Sequence, residues 1–169
     1  WNSDLGLQLK VSVTESLIAA EFLSARWYPT KYGYCFGKKP GRVLSKVGFV
    51  LAKEGRKNDQ YEREFAGMLL SLIGTSMHVP FLRVYITMML DAFEGVDPII
   101  REEYGHLEGA QYEADSVTWA AFTALYGLNQ NDEIKFAKNL REQIDTYGRR
   151  SLMQCHYVKV MYDIDFSLL

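Results

Sequence analysis

Residues 19–41 read AAEFLSARWYPTKYGYCFGKKPG, and this stretch decides the fold because strand-forming and chain-reversing residues alternate along it. Ala19–Tyr28 is rich in aromatic side chains and predicts a β-strand. Pro29–Gly33 predicts a turn, and Tyr34–Phe36 predicts the short return strand of a β-hairpin. Gly37–Gly41 joins glycines to a proline and predicts a loop after the hairpin.

Upstream of the hairpin, apolar and polar residues alternate along Leu5–Val13. Side chains of a strand point alternately to its two faces, so this period predicts a half-buried β-strand.

Beyond Lys57, the spacing of apolar residues becomes that of a helix. Asp59 and Glu62 have the spacing of a capping box, which predicts a helix that begins near Asp59 and runs to about Met77. Pro80 predicts the first turn of a second helix, because proline there removes an N–H that would have no partner. This second helix is predicted to end at Gly95.

Two further helices follow. The third is predicted at Val117–Tyr126 and ends at Gly127. The fourth follows a short connection. The candidate N-caps are Asp115 or Ser116 for the third helix and Asn131 or Asp132 for the fourth. The side chains predicted to face inward from the fourth are Ile134, Phe136, Ala137, Leu140 and Ile144.

Two segments carry weaker patterns. Residues 96–111 predict mostly loop, with a short helix at Ile99–Tyr104. Residues 151–169 predict a short helix or an extended segment. The order of strands first and helices afterwards predicts an α+β fold, in which a β-hairpin layer precedes a helical bundle.

Composition fits a folded domain of ordinary size. The chain has 169 residues, of which 48% are hydrophobic and 24% charged, so it is globular and not a disordered tail. Cys35 and Cys155 are too few for a disulfide framework, which predicts a reducing compartment. No signal peptide or membrane-spanning stretch is recognisable. Because the chain opens on Trp1 and runs at once into a strand pattern, we expect it to be cut from a longer polypeptide.

Charge is unevenly distributed, although the net charge is only −2. Residues 26–63 contain ten Lys or Arg and three acidic residues, whereas residues 91–145 contain twelve acidic residues and four basic ones. Such a separation predicts one face that meets phosphates and another that meets solvent.

The basic turn has the chemistry of a phosphate contact. Lys38, Lys39 and Arg42 would neutralise a nucleic-acid backbone without reading its sequence. Gly37 and Gly41 would let the backbone approach an anion closely. The tyrosines of the hairpin could stack on bases or sugars; they are Tyr28, Tyr32 and Tyr34.

Three blocks of sequence carry a resemblance to a known family. They are LGLQLK at residues 5–10, AEFLSARWYPT at 20–30 and GKKPGRVLSKVGF at 37–49. Their order resembles motif D, motif E and the start of the thumb in RNA-dependent RNA polymerases of positive-strand RNA viruses, of the nodavirus-like and tombusvirus-like kind. The resemblance is specific over residues 5–49 and loose from there to about residue 145.

The resemblance implies a division and a reaction. Residues 1–49 would be a C-terminal palm segment and residues 50–169 a helical thumb-like domain. The whole enzyme would be a nucleotidyltransferase that uses two Mg²⁺ ions held by aspartates of motifs A and C, which lie outside this chain. Its partners would be RNA template and primer, nucleoside triphosphates and the upstream fingers and palm. It would act in the host cytoplasm within a viral replication complex, and this segment would make no membrane contact.

The resemblance also implies roles for single residues. Lys10 would be the general acid of motif D, although a lysine on the polar face of a strand is more often a plain surface group. The residues implied in RNA binding are Ser24, Arg26, Lys38, Lys39, Arg42 and Lys46. Phe22 and Trp27 would pack the hairpin against the palm.

Other readings stay open. The chain could be a non-catalytic helical module that binds RNA or another protein, or a purely structural domain. His78, His106 and His156 lack the spacing of zinc ligands. The two carboxylates within Tyr162–Phe166 are predicted to lie on a solvated strand face rather than at a metal.

Overall fold

The computed structural model describes residues 13–47, 58–100, 113–149 and 155–167. Within these ranges it confirms the α+β prediction, with a small antiparallel sheet followed by helices. The strands are β1 Glu21–Phe22, β2 Ala25–Thr30 and β3 Gly33–Lys38. The helices are α1 Pro40–Leu44, α2 Asn58–Ser76, α3 Leu82–Ala92, α4 Ser116–Tyr126, α5 Gln130–Tyr147 and α6 His156–Ser167.

The sheet has the order β1-β2-β3, and the predicted hairpin is confirmed in β2 and β3. The single strand predicted at Ala19–Tyr28 is wrong, because the chain reverses between β1 and β2. Leu23 and Ser24 have φ angles of 48° and 64°, the left-handed conformation that a tight two-residue hairpin turn requires.

The loop predicted at Gly37–Gly41 is also wrong. Gly37 and Lys38 belong to β3 and pair with Arg26 and Ala25. Pro40 then opens α1 directly, because a helix tolerates proline in its first turn.

Alternation along β2 sorts its side chains between the two faces of the sheet. Arg26, Tyr28 and Thr30 are buried, whereas Trp27 is 38% exposed. The inward face of the hairpin therefore carries a guanidinium group as well as an aromatic ring into the interior.

The helical predictions hold for element type and fail in details of where helices begin. The first helix is confirmed as α2, but Asp59, expected to cap it, lies within its first turn. The third helix is confirmed as α4, with Asp115 as N-cap and Gly127 in the left-handed conformation at its end. The fourth helix is α5, but its N-cap is Asn129, which forms a capping box with Asp132. Ile134, expected inside, is 66% exposed.

Helix α3 begins two residues later than expected. Pro80, expected in its first turn, lies before the helix, and Phe81 occupies the N-cap with φ 66°. The buried Glu133 carboxylate on α5 accepts the Phe81 N–H at 2.8 Å, which gives this turn its hydrogen-bond partner. The Phe81 ring packs on Phe122 of α4 and Phe136 of α5, so this turn lies in the core.

The tail forms a helix, α6, which packs closely against α1. A Cβ added at Gly41 would lie 2.3 Å from the carbonyl carbon and oxygen of Met161, so only glycine permits this approach. The contact places the C-terminal helix beside the segment that follows the hairpin.

Some predictions lie outside the described residues. Only Val13 of the strand predicted at Leu5–Val13 is described, and it is irregular and exposed. The short helix predicted at Ile99–Tyr104 is described only to Ile100, without helix. Among the helices that the structure describes, none combines the length and apolar character needed to cross a bilayer.

His78, between α2 and α3, is a buried titratable group. It is 3% exposed, and its ring meets the Tyr28 ring edge-on at 5.9 Å. Its Nε2 atom has no hydrogen-bond partner within the described part of the chain. Burial lowers the pKa of His78 from 6.5 to about 4.

We predict that His78 makes the fold less stable in mild acid. The unfolded chain takes up this proton near pH 6.5 and the folded chain only near pH 4. The contribution of His78 to the free energy of unfolding should therefore be constant above about pH 6.5 and fall by about 3 kcal/mol on the way to pH 4. Urea unfolding of the parent and His78→Leu across this range measures the loss, which the variant should lack.

His156→Leu is the matched control, because it makes the same replacement at an exposed histidine instead of a buried one. Parallel curves for the parent and His78→Leu would contradict the prediction.

Candidate nucleic-acid interface

The residues expected to bind RNA separate into a buried group and a surface group. Arg26 and Lys39 are 1% and 0% exposed. Ser24 and Lys46 are exposed, and Arg42 and Lys38 are half-buried. Lys10 lies outside the described residues.

The buried group is centred on the carboxylate of Asp165 in α6. Its Oδ1 accepts a hydrogen bond from the Tyr126 hydroxyl at 2.7 Å and one from Arg26 Nη2 at 3.2 Å. Its Oδ2 accepts the Gly41 N–H at 2.8 Å. One side chain thus joins α6 to α4, β2 and α1.

Glu21 completes the charge balance of this cluster. Its Oε1 accepts from Arg26 Nη2 at 3.0 Å and also pairs with the Lys39 ammonium. Lys39 Nζ donates to the Asp165 main-chain oxygen at 3.2 Å. Two cations therefore meet two carboxylates, one of which, Glu21, lies on the exposed strand β1. We call Glu21, Arg26, Lys39 and Asp165 the buried ionic cluster.

Burial and pairing act in opposite directions on these groups. Desolvation raises the pKa of Asp165, while Tyr126 and Arg26 oppose the shift. Desolvation lowers the pKa of Lys39, while Glu21 opposes it. All three partners of the Asp165 side chain act as donors, which is the pattern expected of an ionised carboxylate.

The cluster revises the roles expected of Arg26 and Lys39. Both side chains are enclosed and paired, so neither reaches a phosphate in this conformation. Arg26 points inward because of its position in β2, and the observed strand-to-helix junction encloses Lys39.

The prediction for Tyr162–Phe166 was wrong in element and in exposure. The segment is helical, and Asp163 lies outside while Asp165 lies inside. The signal was present in the sequence, because Val158, Met161 and Asp165 fall on one stripe at helical spacing and all three are buried. The stripe is not apparent when the segment is assigned to a strand, whose side chains repeat every two residues.

The surface group gathers beside α1 and α6. Arg42 Nη1 donates to Ser24 Oγ at 2.9 Å, and its guanidinium carbon lies 4.4 Å from the centre of the Phe166 ring. Lys46 Nζ lies 5.8 Å from the same ring, which in turn stacks on Tyr162 at 4.2 Å. We call Ser24, Arg42, Lys46, Tyr162 and Phe166 the α1–α6 surface.

The outer face of the hairpin carries aromatic side chains. Trp27 packs on Phe36 at 5.1 Å, and Tyr32 and Tyr34 are exposed. Tyr28 was expected among the stacking residues, but it is buried and donates its hydroxyl to the Lys38 carbonyl. Packing of Trp27 against a palm stays a prediction.

The exposed cations of this arrangement suit an anion. Within the described ranges, no three His, Cys, Asp or Glu side chains come together in a group that could hold a metal ion. The α1–α6 surface offers two cations and the hydroxyls of Ser24 and Tyr162, which suit a phosphate backbone.

Comparison of the chain with protein-family models, curated proteins and solved structures finds no match. The functional reading therefore depends on the residues and their arrangement.

We predict that Asp165 stabilises the whole fold, whereas Asp163 on the same helix does not. Asp165→Ala leaves two buried cations under-compensated and should lower the free energy of unfolding by about 3–5 kcal/mol. Asp163 has a 57% exposed side chain in an i,i+4 pair with Lys159, so Asp163→Ala should cost no more than about 0.5 kcal/mol. Urea titration of both variants measures the two losses, and equal losses would contradict the role given to the buried ionic cluster.

Proposed function

We propose that this chain is the C-terminal palm and thumb part of an RNA-dependent RNA polymerase of a positive-strand RNA virus. In this role it holds the primer and nascent strand during template-directed nucleotidyl transfer. Its partners are RNA, nucleoside triphosphates and the upstream fingers and palm of the same polypeptide, and its location is a replication complex in the host cytoplasm.

The observation that carries the proposal is the position of Arg42 and Lys46. Both belong to the block at residues 37–49 that resembles the polymerase family, and both lie over one aromatic ring. Ser24, from the block that resembles motif E, bonds to Arg42 at 2.9 Å. Two separate blocks of the resemblance therefore meet on one surface.

The contact geometry favours phosphate binding over ordinary solvation. The hydroxyl of Ser24 and the ring of Phe166 restrict the Arg42 side chain, so less conformational entropy is lost when it meets an anion. Arg42 Nε is buried, but the guanidinium charge of Arg42 suits a phosphate and Lys46 adds a second charge. Such contacts are independent of sequence, as a polymerase that accepts any RNA requires.

The reaction itself is assigned to other parts of the enzyme. Two Mg²⁺ ions supply the electrophilic chemistry when bound, and the resemblance assigns their aspartate ligands to motifs A and C. In this role the described residues bind and orient RNA. Lys10 remains a proposed general acid.

We predict that reversing the surface cations weakens RNA binding. Arg42→Glu combined with Lys46→Glu removes two phosphate contacts and should lower the affinity for single-stranded RNA by at least about tenfold. The slope of log affinity against log salt should become shallower by roughly 1.4. Filter binding at several salt concentrations measures both quantities.

Lys135→Glu with Lys138→Glu is the control, since it makes the same charge change on exposed lysines of α5 and should leave binding near the parent value. Circular dichroism of each variant reports folding. Parent-like affinity in the folded Arg42/Lys46 variant would overturn the proposal. Lys39 is avoided because its reversal would disrupt the buried ionic cluster.

We also predict that the chain alone does not incorporate nucleotides. Incubation with primer–template RNA, nucleoside triphosphates and Mg²⁺ should give no extended product. The resemblance assigns the catalytic aspartates to motifs A and C, and neither motif is in this chain. Extension above a buffer control would contradict the assignment. A Gly-Asp-Asp between apolar runs upstream in the coding sequence would support it, whereas an upstream stop codon would favour a non-catalytic RNA-binding module.

A further inference from the structure

We infer that Tyr162 on α6 is a stacking platform for one base of single-stranded RNA whose phosphates bind Arg42 and Lys46. This inference rests on the proposed function and extends it to the C-terminal helix, which carries no part of the family resemblance.

The aromatic groups form a short ordered stack. The Tyr162 and Phe166 rings lie 4.2 Å apart with an interplanar angle of 29°, and Arg42 covers Phe166 at 4.4 Å. Tyr162 ends this stack and is 40% exposed. An incoming base would extend an arrangement that already places cation and aromatic rings in sequence.

The platform has a rigid support. Asp165, between Tyr162 and Phe166, is fixed by three side-chain and main-chain donors from other elements. The close approach of Gly41 to Met161 holds α6 against α1. Because the ring is positioned before binding, stacking on it requires little further loss of side-chain entropy.

The neighbouring charges favour RNA over other partners. Arg42 and Lys46 lie over the Phe166 ring, which stacks on the exposed Tyr162, so an anionic partner with flat apolar groups fits both features at once. The nearby Asp163 is paired with Lys159 at 2.6 Å, which offsets its repulsion of phosphate. The carboxylates of an acidic peptide would pair with the cations, but they could not stack on the Tyr162 ring.

Binding of single-stranded oligouridylate by the full chain, compared with inorganic polyphosphate, separates stacking from charge. Tyr162→Ala should weaken oligouridylate binding on the order of tenfold and leave polyphosphate binding unchanged. Tyr162→Phe keeps the ring and should bind both as the parent does. Tyr147→Ala, an exposed tyrosine of α5, is the control for loss of a surface ring.

The outcomes distinguish this inference from the proposed function. Parent-like RNA binding by Tyr162→Ala, with binding lost in the Arg42/Lys46 variant, overturns the stacking role alone. Parent-like binding in both overturns both. An equal loss for RNA and polyphosphate in Tyr162→Ala shows a structural effect and overturns stacking. A dimer of the parent that Tyr162→Ala dissociates in sedimentation would assign the ring to self-association instead.

Discussion

The Asp165 carboxylate joins four elements that are distant in sequence. It accepts hydrogen bonds from Tyr126 of α4, Arg26 of β2 and the Gly41 N–H of α1, and it belongs to α6 itself. A buried carboxylate is costly without partners, and a buried guanidinium is costly without a carboxylate, so each stabilises the other only in the assembled fold. Glu21 and Lys39 extend the same balance. The relative placement of hairpin, α1 and α6 depends on this arrangement of charges as well as on apolar contact.

The cations of residues 26–63 that form the buried ionic cluster differ in role from those near the solvent. Arg26 and Lys39 are part of the interior and contribute to the fold, whereas Ser24, Arg42 and Lys46 lie near the solvent beside α6. Because Glu21 and Asp165 neutralise Arg26 and Lys39, these two cations add little to the electrostatic potential that a ligand meets at the surface. The local excess of positive charge in residues 26–63 is therefore larger in sequence than on the surface, and the proposed RNA contact depends on fewer groups than the charge count indicates.

The C-terminal helix connects the stability of the fold with the proposed binding surface. Its inward stripe carries Asp165, and its outward side carries Tyr162 and the Phe166 ring beneath Arg42. Residues separated by three or four positions share a helix face, so a single short element can anchor the fold and present aromatic groups together. Loosening of the buried ionic cluster would displace the stack as well, which is why folding must be measured alongside binding in every variant of this surface.

The sequence by itself determined the α+β class, the β2–β3 hairpin, the helical spans of α2 and α4, and the Gly127 stop, because these depend on local periodicity and on residue-specific backbone preferences. It left the N-cap of α4 open between Asp115 and Ser116, and the structure shows Asp115. The family resemblance also implied Arg42 and Lys46 in RNA binding. The sequence did not determine the turn at Leu23 and Ser24, the helical character of α6 or the burial of Arg26, Lys39 and Asp165. Only the tertiary structure decided these, because a charged residue can be buried only where another element supplies its partner. Arg26 and Asp165 are such partners and lie 139 positions apart. The local sequence pattern around either residue does not predict the contact between Arg26 and Asp165.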